Sequence, residues 1–307
     1  MSSTEQASSD LTPSQRARLA LDGLSVGDAF GQKFFTHLTD DLPTPPWRWT
    51  DDTIMAISVV ENLETHGAID CPTLATAFAR RYAEDPYRGY GQGAARLLQD
   101  LMRGAPWKAT AQSLFNGQGS MGNGGAMRVA PLGAWFADAP LEVLVDNARR
   151  SAEVTHTHPE GQAGAVAVAV ATAWAWQWFQ TPVYERPHPM GMVEAALNAI
   201  DEGPTANRLG FALELGIDGH QLSAVNQLGN GSRITAPDTV PFCLWAAARH
   251  LGKFEKGLWF TMRAGGDIDT NCAIVGGILA MTDAVPPQWL TCREYLPIAP
   301  TAQTETR

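Results

Sequence analysis

The sequence predicts an all-α fold, and three observations carry that prediction. Apolar residues recur at intervals of three and four in one segment after another, the spacing that gathers them on one face of a helix. Alternating Val, Ile, Thr and Tyr runs bounded by turn residues, the mark of strands, are scarce. The stretch Ala163 to Trp176 is Ala-rich and almost wholly apolar. It is shorter than the roughly 20 residues of a membrane span, so it reads as a helix buried on all sides.

Taken in order, the first helix is announced by Thr12 as N-cap and Pro13 at the first helical position, followed by an apolar stripe of Ala17, Leu19, Ala20, Leu24 and Val26. It runs into Gly27-Asp28-Ala29-Phe30-Gly31. Pro43, Pro45 and Pro46 then preclude regular helix between Phe34 and Trp49, leaving a surface loop able to cover a site. Thr50 caps a second helix, in which Ile54, Ile57, Val60 and Leu63 recur every three residues until Gly67 ends it. Helical spacing continues over Pro72 to Tyr82, Gln92 to Met102 and Leu141 to Val154. A Gly-rich loop, Asn116 to Gly125, interrupts these helices. Beyond the buried helix and a Pro-rich loop, Pro182 to Met190, the spacing resumes over Met192 to Ile200, Val240 to Leu251, Phe254 to Arg263 and Asn271 to Thr282. No linker separates two patterns, and no period of 20 to 50 residues suggests a solenoid. The expected organisation is one domain over residues 12–299 with loose ends at 1–11 and 300–307.

Of the 307 residues, 22 are Lys or Arg and 32 are Asp or Glu, a formal charge of −10. That balance lacks the basic footprint of a nucleic-acid binder. Cys71, Cys243, Cys272 and Cys292 show no metal or redox spacing and read as ordinary thiols. The polar N-terminus carries no secretory pattern, and the expected setting is cytoplasmic, away from membranes.

Two acidic clusters stand at the mouths of helices. Thr50-Asp51-Asp52-Thr53 opens the second helix, and Gly265-Gly266-Asp267-Ile268-Asp269-Thr270-Asn271 precedes a late apolar one. If Thr270 begins that helix, Asp267 and Asp269 lie on the turn before it and point the same way. Each cluster alone has an ordinary explanation, as a helix cap complementing the dipole or as a polar turn. Together, four carboxylates and two hydroxyls would repel one another without a cation. All-oxygen ligation selects Mg²⁺ or Mn²⁺ over zinc, and the acidity suits two such ions. The Gly119 to Gly125 loop is either a plain connection or an anion cradle, since glycine permits close backbone approach and a following helix offers free N–H groups. It matches neither a Walker loop nor a dinucleotide fingerprint. Asn123 either caps that turn or contacts a ligand. His156 and His158 complement a helix end or serve a site. Trp174, Trp176 and Phe179 read as core, while Trp47 and Trp49 stay open.

Five segments in order resemble the ADP-ribosylglycohydrolases, the family of the dinitrogenase reductase-activating glycohydrolase and the ADP-ribosyl-acceptor hydrolases. They are Gly27 to Gly31, Thr50 to Thr53, Gly122 to Arg128, Thr155 to Pro159 and Gly265 to Asn271. The resemblance covers residues 15 to 285. It implies a compact orthogonal helical bundle with two Mg²⁺ or Mn²⁺ ions in a cleft. Thr50, Asp51, Asp52, Asp267, Asp269 and Thr270 match the family's metal ligands. Asp28, Gly119, Ser120, Met121, Gly122, Asn123, Gly124 and His156 fall where it binds ADP-ribose. The Gly-rich loop is closer to the serine- and poly-ADP-ribose-cleaving branch than to the arginine-specific one. Two departures stand out: Phe35 occupies the place of a glutamate near the metals in that branch, and Met121 that of an aromatic residue.

The resulting expectation is a metal-dependent hydrolase that frees ADP-ribose by cleavage at its anomeric carbon. Asp51 or Asp52 would accept the proton of the attacking water, and Phe35 would form an apolar wall. Two alternatives remain open: a catalytically impaired ADP-ribose binder or structural protein, and another two-metal hydrolase of nucleotides or phosphoesters.

Overall fold

The computed structural model describes residues 11–35 and 39–299. Among them it shows sixteen α-helices, one 3₁₀ turn at Val183–Glu185 and no strand. Bridge-type pairing of the kind found in sheets is limited there to two isolated bridges, Trp47 with Arg293 and Gly122 with Thr235. The helices are α1 (Pro13–Gln32), α2 (Asp51–His66), α3 (Cys71–Glu84), α4 (Gln92–Met102), α5 (Trp107–Gly117), α6 (Gly124–Met127), α7 (Ala130–Trp135) and α8 (Leu141–Glu153). Then follow α9 (Pro159–Gln180), α10 (Gly191–Asn198), α11 (Pro204–Leu215), α12 (Gln221–Leu228), α13 (Ala236–Arg249), α14 (Phe254–Met262), α15 (Ile268–Leu279) and α16 (Pro287–Cys292).

Most expected helices lie within a few residues of their observed bounds. Thr12 caps α1 with a capping box, and Gly67 ends α2 in the left-handed conformation. The latest helix differs where it matters. α15 starts at Ile268, so Asp267 is its N-cap and Asp269 stands in its first turn rather than on an extended segment before it. Helices α5, α7, α11, α12 and α16 were not expected. Most are short, and α7, α11 and α16 open on a proline in the first turn, which reads locally as a break.

The pairing that organises the fold joins α1 to α15. Gly23, Gly27 and Gly31 recur every four residues on one face of α1, where small side chains let a second helix approach closely. A Cβ on Gly23 would lie 2.3 Å from Gly276 O, one on Gly27 would overlap Cys272 O, and one on Gly31 would lie 2.6 Å from Ile268 O. Backbone therefore rests on backbone, and the first turn of α15 is brought beside the last turns of α1. The Ala-rich run behaves as expected: from Ala165 to Ala173 every residue of α9 is buried. Trp176 is buried in the core and Trp174 packs against it, whereas Phe179 is partly buried outside it.

The Pro-rich segment is anchored at both described ends. Phe34 is buried against Phe30 and Trp259, at ring distances of 4.9 and 5.7 Å. Trp47 is buried beside Phe30 and Trp289, and its backbone pairs with Cys292 O and Glu294 N at 2.7 and 2.8 Å. Trp47 and Trp49 are thus core residues. One connected set of buried apolar side chains extends from Ala17 to Leu296. The expectation of loose ends falls on residues outside those described, except at Leu11, whose carbonyl accepts from Arg16 Nη1 at 2.9 Å. All four cysteines are free thiols, three of them buried. Among the described residues, no helix is long and apolar enough to cross a membrane.

Candidate active site

Asp28 is the fixed point of the acidic cluster. It sits on the buried face of α1 with no exposure, and its carboxylate accepts from Thr50 N at 2.8 Å, Thr50 Oγ1 at 2.9 Å, Thr53 N at 3.2 Å and Thr53 Oγ1. These bonds fasten the start of α2 to α1. Asp28, expected among the residues that bind ADP-ribose, is thus fully buried within the acidic cluster. Thr50 is the N-cap of α2 by position, but its side chain does not cap the helix.

Asp28, Asp52 and Asp269 converge from α1, α2 and α15, with one oxygen of each lying within 4.8 Å of the others. Asp51 and Asp267 stand outside this tight group. Thr50 Oγ1 lies 2.9 Å from both Asp28 Oδ1 and Asp52 Oδ2. A hydroxyl has one proton, so it satisfies one carboxylate and leaves the other facing an oxygen lone pair. Asp52 Oδ1 is buried and has no hydrogen-bond partner. A buried, unpartnered anionic oxygen beside two further carboxylates fits a hard divalent cation, whose ligands are oxygens.

The same crowding shows in the protonation equilibria. Burial pushes Asp28 up to about 6, against hydrogen bonds from Thr53 and Thr50 that lower it. Burial, then the charge of Asp28, pushes Asp51 to about 7. Asp52 and Asp269 are held well above the usual carboxylate range by burial first and by neighbouring carboxylates second. Asp267 is raised by burial and lowered in part by the Asn123 hydrogen bond.

Two segments that motif reading passed over hold these side chains. Asn230 clamps the turn before α15: its carbonyl accepts from Asp267 N at 3.1 Å and Asn271 Nδ2 at 2.7 Å, and its own Nδ2 donates to Ala264 O at 2.9 Å. Gly265 and Gly266 both have positive φ, the conformation this tight turn requires. On the other flank, Arg88 O accepts from Asp51 N at 2.7 Å, and the Arg88 guanidinium lies 3.7 Å over the Trp49 ring while pairing with Glu294. A Cβ on Gly89 would stand 3.4 Å from Asp51 Oδ1, so this segment borders the acidic site. The only local signal for either was a turn rich in Gly and Asn or Arg.

The Gly-rich loop is built in rather than loose. Gly119 has φ of 75°, and a Cβ there would overlap Thr157 Oγ1. Gly122 bridges to Thr235, and Ala236 N donates to Met121 O at 3.0 Å. Ser120 is buried and accepts from Gly122 N at 3.1 Å, whereas Met121 is partly exposed. Helix α6, which follows, is a single turn. It therefore lacks the run of aligned dipoles that a longer helix offers at its N-terminus. Asn123 does not cap the turn with its side chain. Its Nδ2 donates to Asp267 Oδ2 at 2.7 Å and to Thr239 Oγ1 at 3.1 Å, tying the loop to the acidic side.

His156 is buried directly behind this loop. Cβ atoms on Gly122 and Gly124 would lie 3.2 Å from His156 Nε2 and 2.9 Å from its Cε1. Burial, and then the charge of Arg128, lowers its pKa to about 3, so the ring is neutral. His158 is structural: its Nδ1 accepts from Glu160 N at 3.1 Å and caps α9. Thr270 is buried next to Asp269, and Phe35, just beyond α1, is about half exposed.

A family profile described as ADP-ribosylglycohydrolase matches residues 9–305. Human ADP-ribosylhydrolase ARH3 is 31% identical over 332 aligned residues, which span 91% of this chain and 90% of that protein. The ADP-ribosylarginine hydrolase Tri1 of Pseudomonas putida is 32% identical over 142 residues, 39% of this chain and 37% of Tri1. A solved structure described as an ADP-ribosylglycohydrolase-related protein complex superposes with a TM-score of 0.64 at 26% identity, covering 92% of this chain and 94% of its own.

Proposed function

The chain belongs to the ADP-ribosylglycohydrolase family, and we propose that it is a divalent-cation-dependent hydrolase that releases ADP-ribose from an acceptor by cleavage at the anomeric carbon. The observation that carries this reading is the Asp28–Asp52–Asp269 cluster with its unpartnered Asp52 oxygen. Thr50, Asp51, Asp52, Asp267, Asp269 and Thr270, backed by Asp28, would hold two ions, Mg²⁺ or Mn²⁺. When bound, such ions neutralise the carboxylates, polarise the glycosidic linkage and lower the pKa of water.

The protein's own groups do the rest. Asp51 accepts the proton of the attacking water, because it lies outside the tight cluster, is partly exposed and is not tied to the Thr50 hydroxyl. The carboxylates around the ribose favour the positive charge that develops at the anomeric carbon. The Gly119 to Gly124 loop presents its backbone to the diphosphate, and Asn123 keeps it in register with Asp267.

The acceptor follows from Phe35. An aromatic side chain there excludes water but supplies no proton, so the site suits a leaving group that takes up its own, as a guanidine does more readily than a serine alkoxide. We therefore assign a nitrogen-linked acceptor. Purified protein incubated with ADP-ribosylated arginine and with an ADP-ribosylated serine peptide, in Mg²⁺, Mn²⁺ or chelator, tests both statements. Release from neither substrate, or release indifferent to chelation, overturns the activity; release from serine alone overturns the acceptor.

A further inference from the structure

The orientation of His156 rests on two further residues, Arg128 and Thr155. Arg128 follows α6 and is fully buried. Its Nη2 carries two hydrogens, one donated to Ser151 O at 2.8 Å and the other to Thr155 Oγ1 at 2.9 Å. The Phe78 ring covers the guanidinium at 4.6 Å. Thr155 Oγ1 in turn stands 2.6 Å from His156 Nδ1.

Proton counting orders this chain. A guanidinium only donates, so Thr155 Oγ1 is the acceptor in the first bond and keeps its own hydrogen to place elsewhere. Thr155 is buried, and among the described residues its hydroxyl hydrogen has no other acceptor than His156 Nδ1. Were Nδ1 protonated, the Thr155 hydrogen would be buried without an acceptor, and an N–H dipole would point toward a buried cation. Both penalties vanish if Nδ1 accepts. Its proton then sits on Nε2, which lies 3.2 Å from the positions that Cβ atoms on both Gly122 and Gly124 would fill.

We propose that Arg128 and Thr155 are positioning residues that fix His156 as its Nε2–H tautomer, presenting a neutral N–H donor between Gly122 and Gly124 to an anionic oxygen of the ligand. The identity of that ligand, the diphosphate of ADP-ribose, rests on the function proposed above; the tautomer does not. The depressed pKa of the ring agrees with this arrangement, since the donor works through a set proton position rather than through charge. Arg128 thereby acts on His156 through Thr155.

The test is a long-range ¹H–¹⁵N spectrum of the full chain labelled at histidine, with His156 assigned by comparison with His156→Gln. The expected wild-type pattern is a protonated Nε2 and an unprotonated Nδ1. Thr155→Val, which keeps the shape and removes the hydroxyl, should give mixed tautomers and weaken ADP-ribose binding about tenfold. Mg²⁺ binding should not change, and Thr155→Ser should restore both properties. A proton on Nδ1 in the wild type, a charged ring at neutral pH, or a Thr155→Val protein with wild-type tautomer and affinity overturns the proposal. So does calorimetric binding of ADP-ribose that leaves the Nε2 signal unmoved. Failure of any form to bind ADP-ribose counts against the ligand, while the spectrum of the free wild-type protein still decides the tautomer. That spectrum needs no variant, so a Thr155→Val protein that fails to fold does not spare the proposal.

Discussion

In one part of the candidate site Asp28, Asp52 and Asp269 meet from three helices; in the other, Gly119 to Gly124 offer backbone, Ser120, Asn123 and a neutral imidazole behind them. The acidic side is crowded with like charge and held by rigid elements, because repelling groups stay together only where packing leaves them no room to part. The glycine side carries no charged side chain. Its missing side chains make room for the protein's own atoms, since Cβ atoms on Gly119, Gly122 and Gly124 would run into Thr157 and His156. The difference teaches that the charged and the uncharged parts of the site are built separately in this molecule, and that Asn123 to Asp267 is a direct link between them. Changes on the two sides should therefore have different signatures.

The largest effect is expected from Asp269→Asn, which keeps size but removes a hard ligand. It should abolish metal binding and lower turnover by more than the roughly 10–100-fold that loss of a group behind a metal ligand costs, with circular dichroism unchanged. Near-full activity together with retained metal would return Asp269 to the role of a helix-capping turn residue.

Removing the cation should expose the charge crowding as a pH dependence of stability. Asp28 and Asp51 are raised to about 6 and about 7 in the folded protein, above their ordinary value in the unfolded chain. Between those values the folded state binds more protons, so stability falls as pH rises from about 4 through about 7. Chelated protein should thus melt at a higher temperature at pH 5 than at pH 8, and Mg²⁺ should raise the melting temperature most at pH 8. A chelated protein more stable at pH 8 would contradict the shared carboxylate site.

On the glycine side, Gly124→Ala places a methyl 2.9 Å from His156 Cε1. Affinity for ADP-ribose should fall about tenfold while metal binding and the metal-dependent melting shift persist. Simultaneous loss of metal would break the separation of the two sides. The smallest effect is expected from Phe35→Glu. It should change the ratio of serine-linked to arginine-linked turnover and leave ADP-ribose affinity, measured by calorimetry, within a factor of about two. A large loss of affinity would place Phe35 against the ADP-ribose rather than the acceptor.

The helical class, the buried α9 and the two acidic helix mouths were legible in the sequence because each depends on local spacing: apolar residues at helical period, and Thr and Asp where orphan N–H groups begin. The five short motifs were legible for the same reason. Which carboxylates form the tight group was not. Residues 51, 52, 267 and 269 were read as equals, and Asp28 as a ligand contact. The stripe of Gly23, Gly27 and Gly31 against Ile268, Cys272 and Gly276 decides the matter instead. It sets the register of α1 on α15, so that Asp28 and Asp269 face Asp52 while Asp51 and Asp267 are left at the sides. Asn230, Arg88 and the Arg128–Thr155–His156 chain were hidden in the same way. Local sequence determined which residues could carry charge at helix ends and where the backbone could bend. Tertiary structure alone decided which charges share one space and which proton sits on His156, because hydrogen-bond partners distant in the chain are chosen by how helices dock.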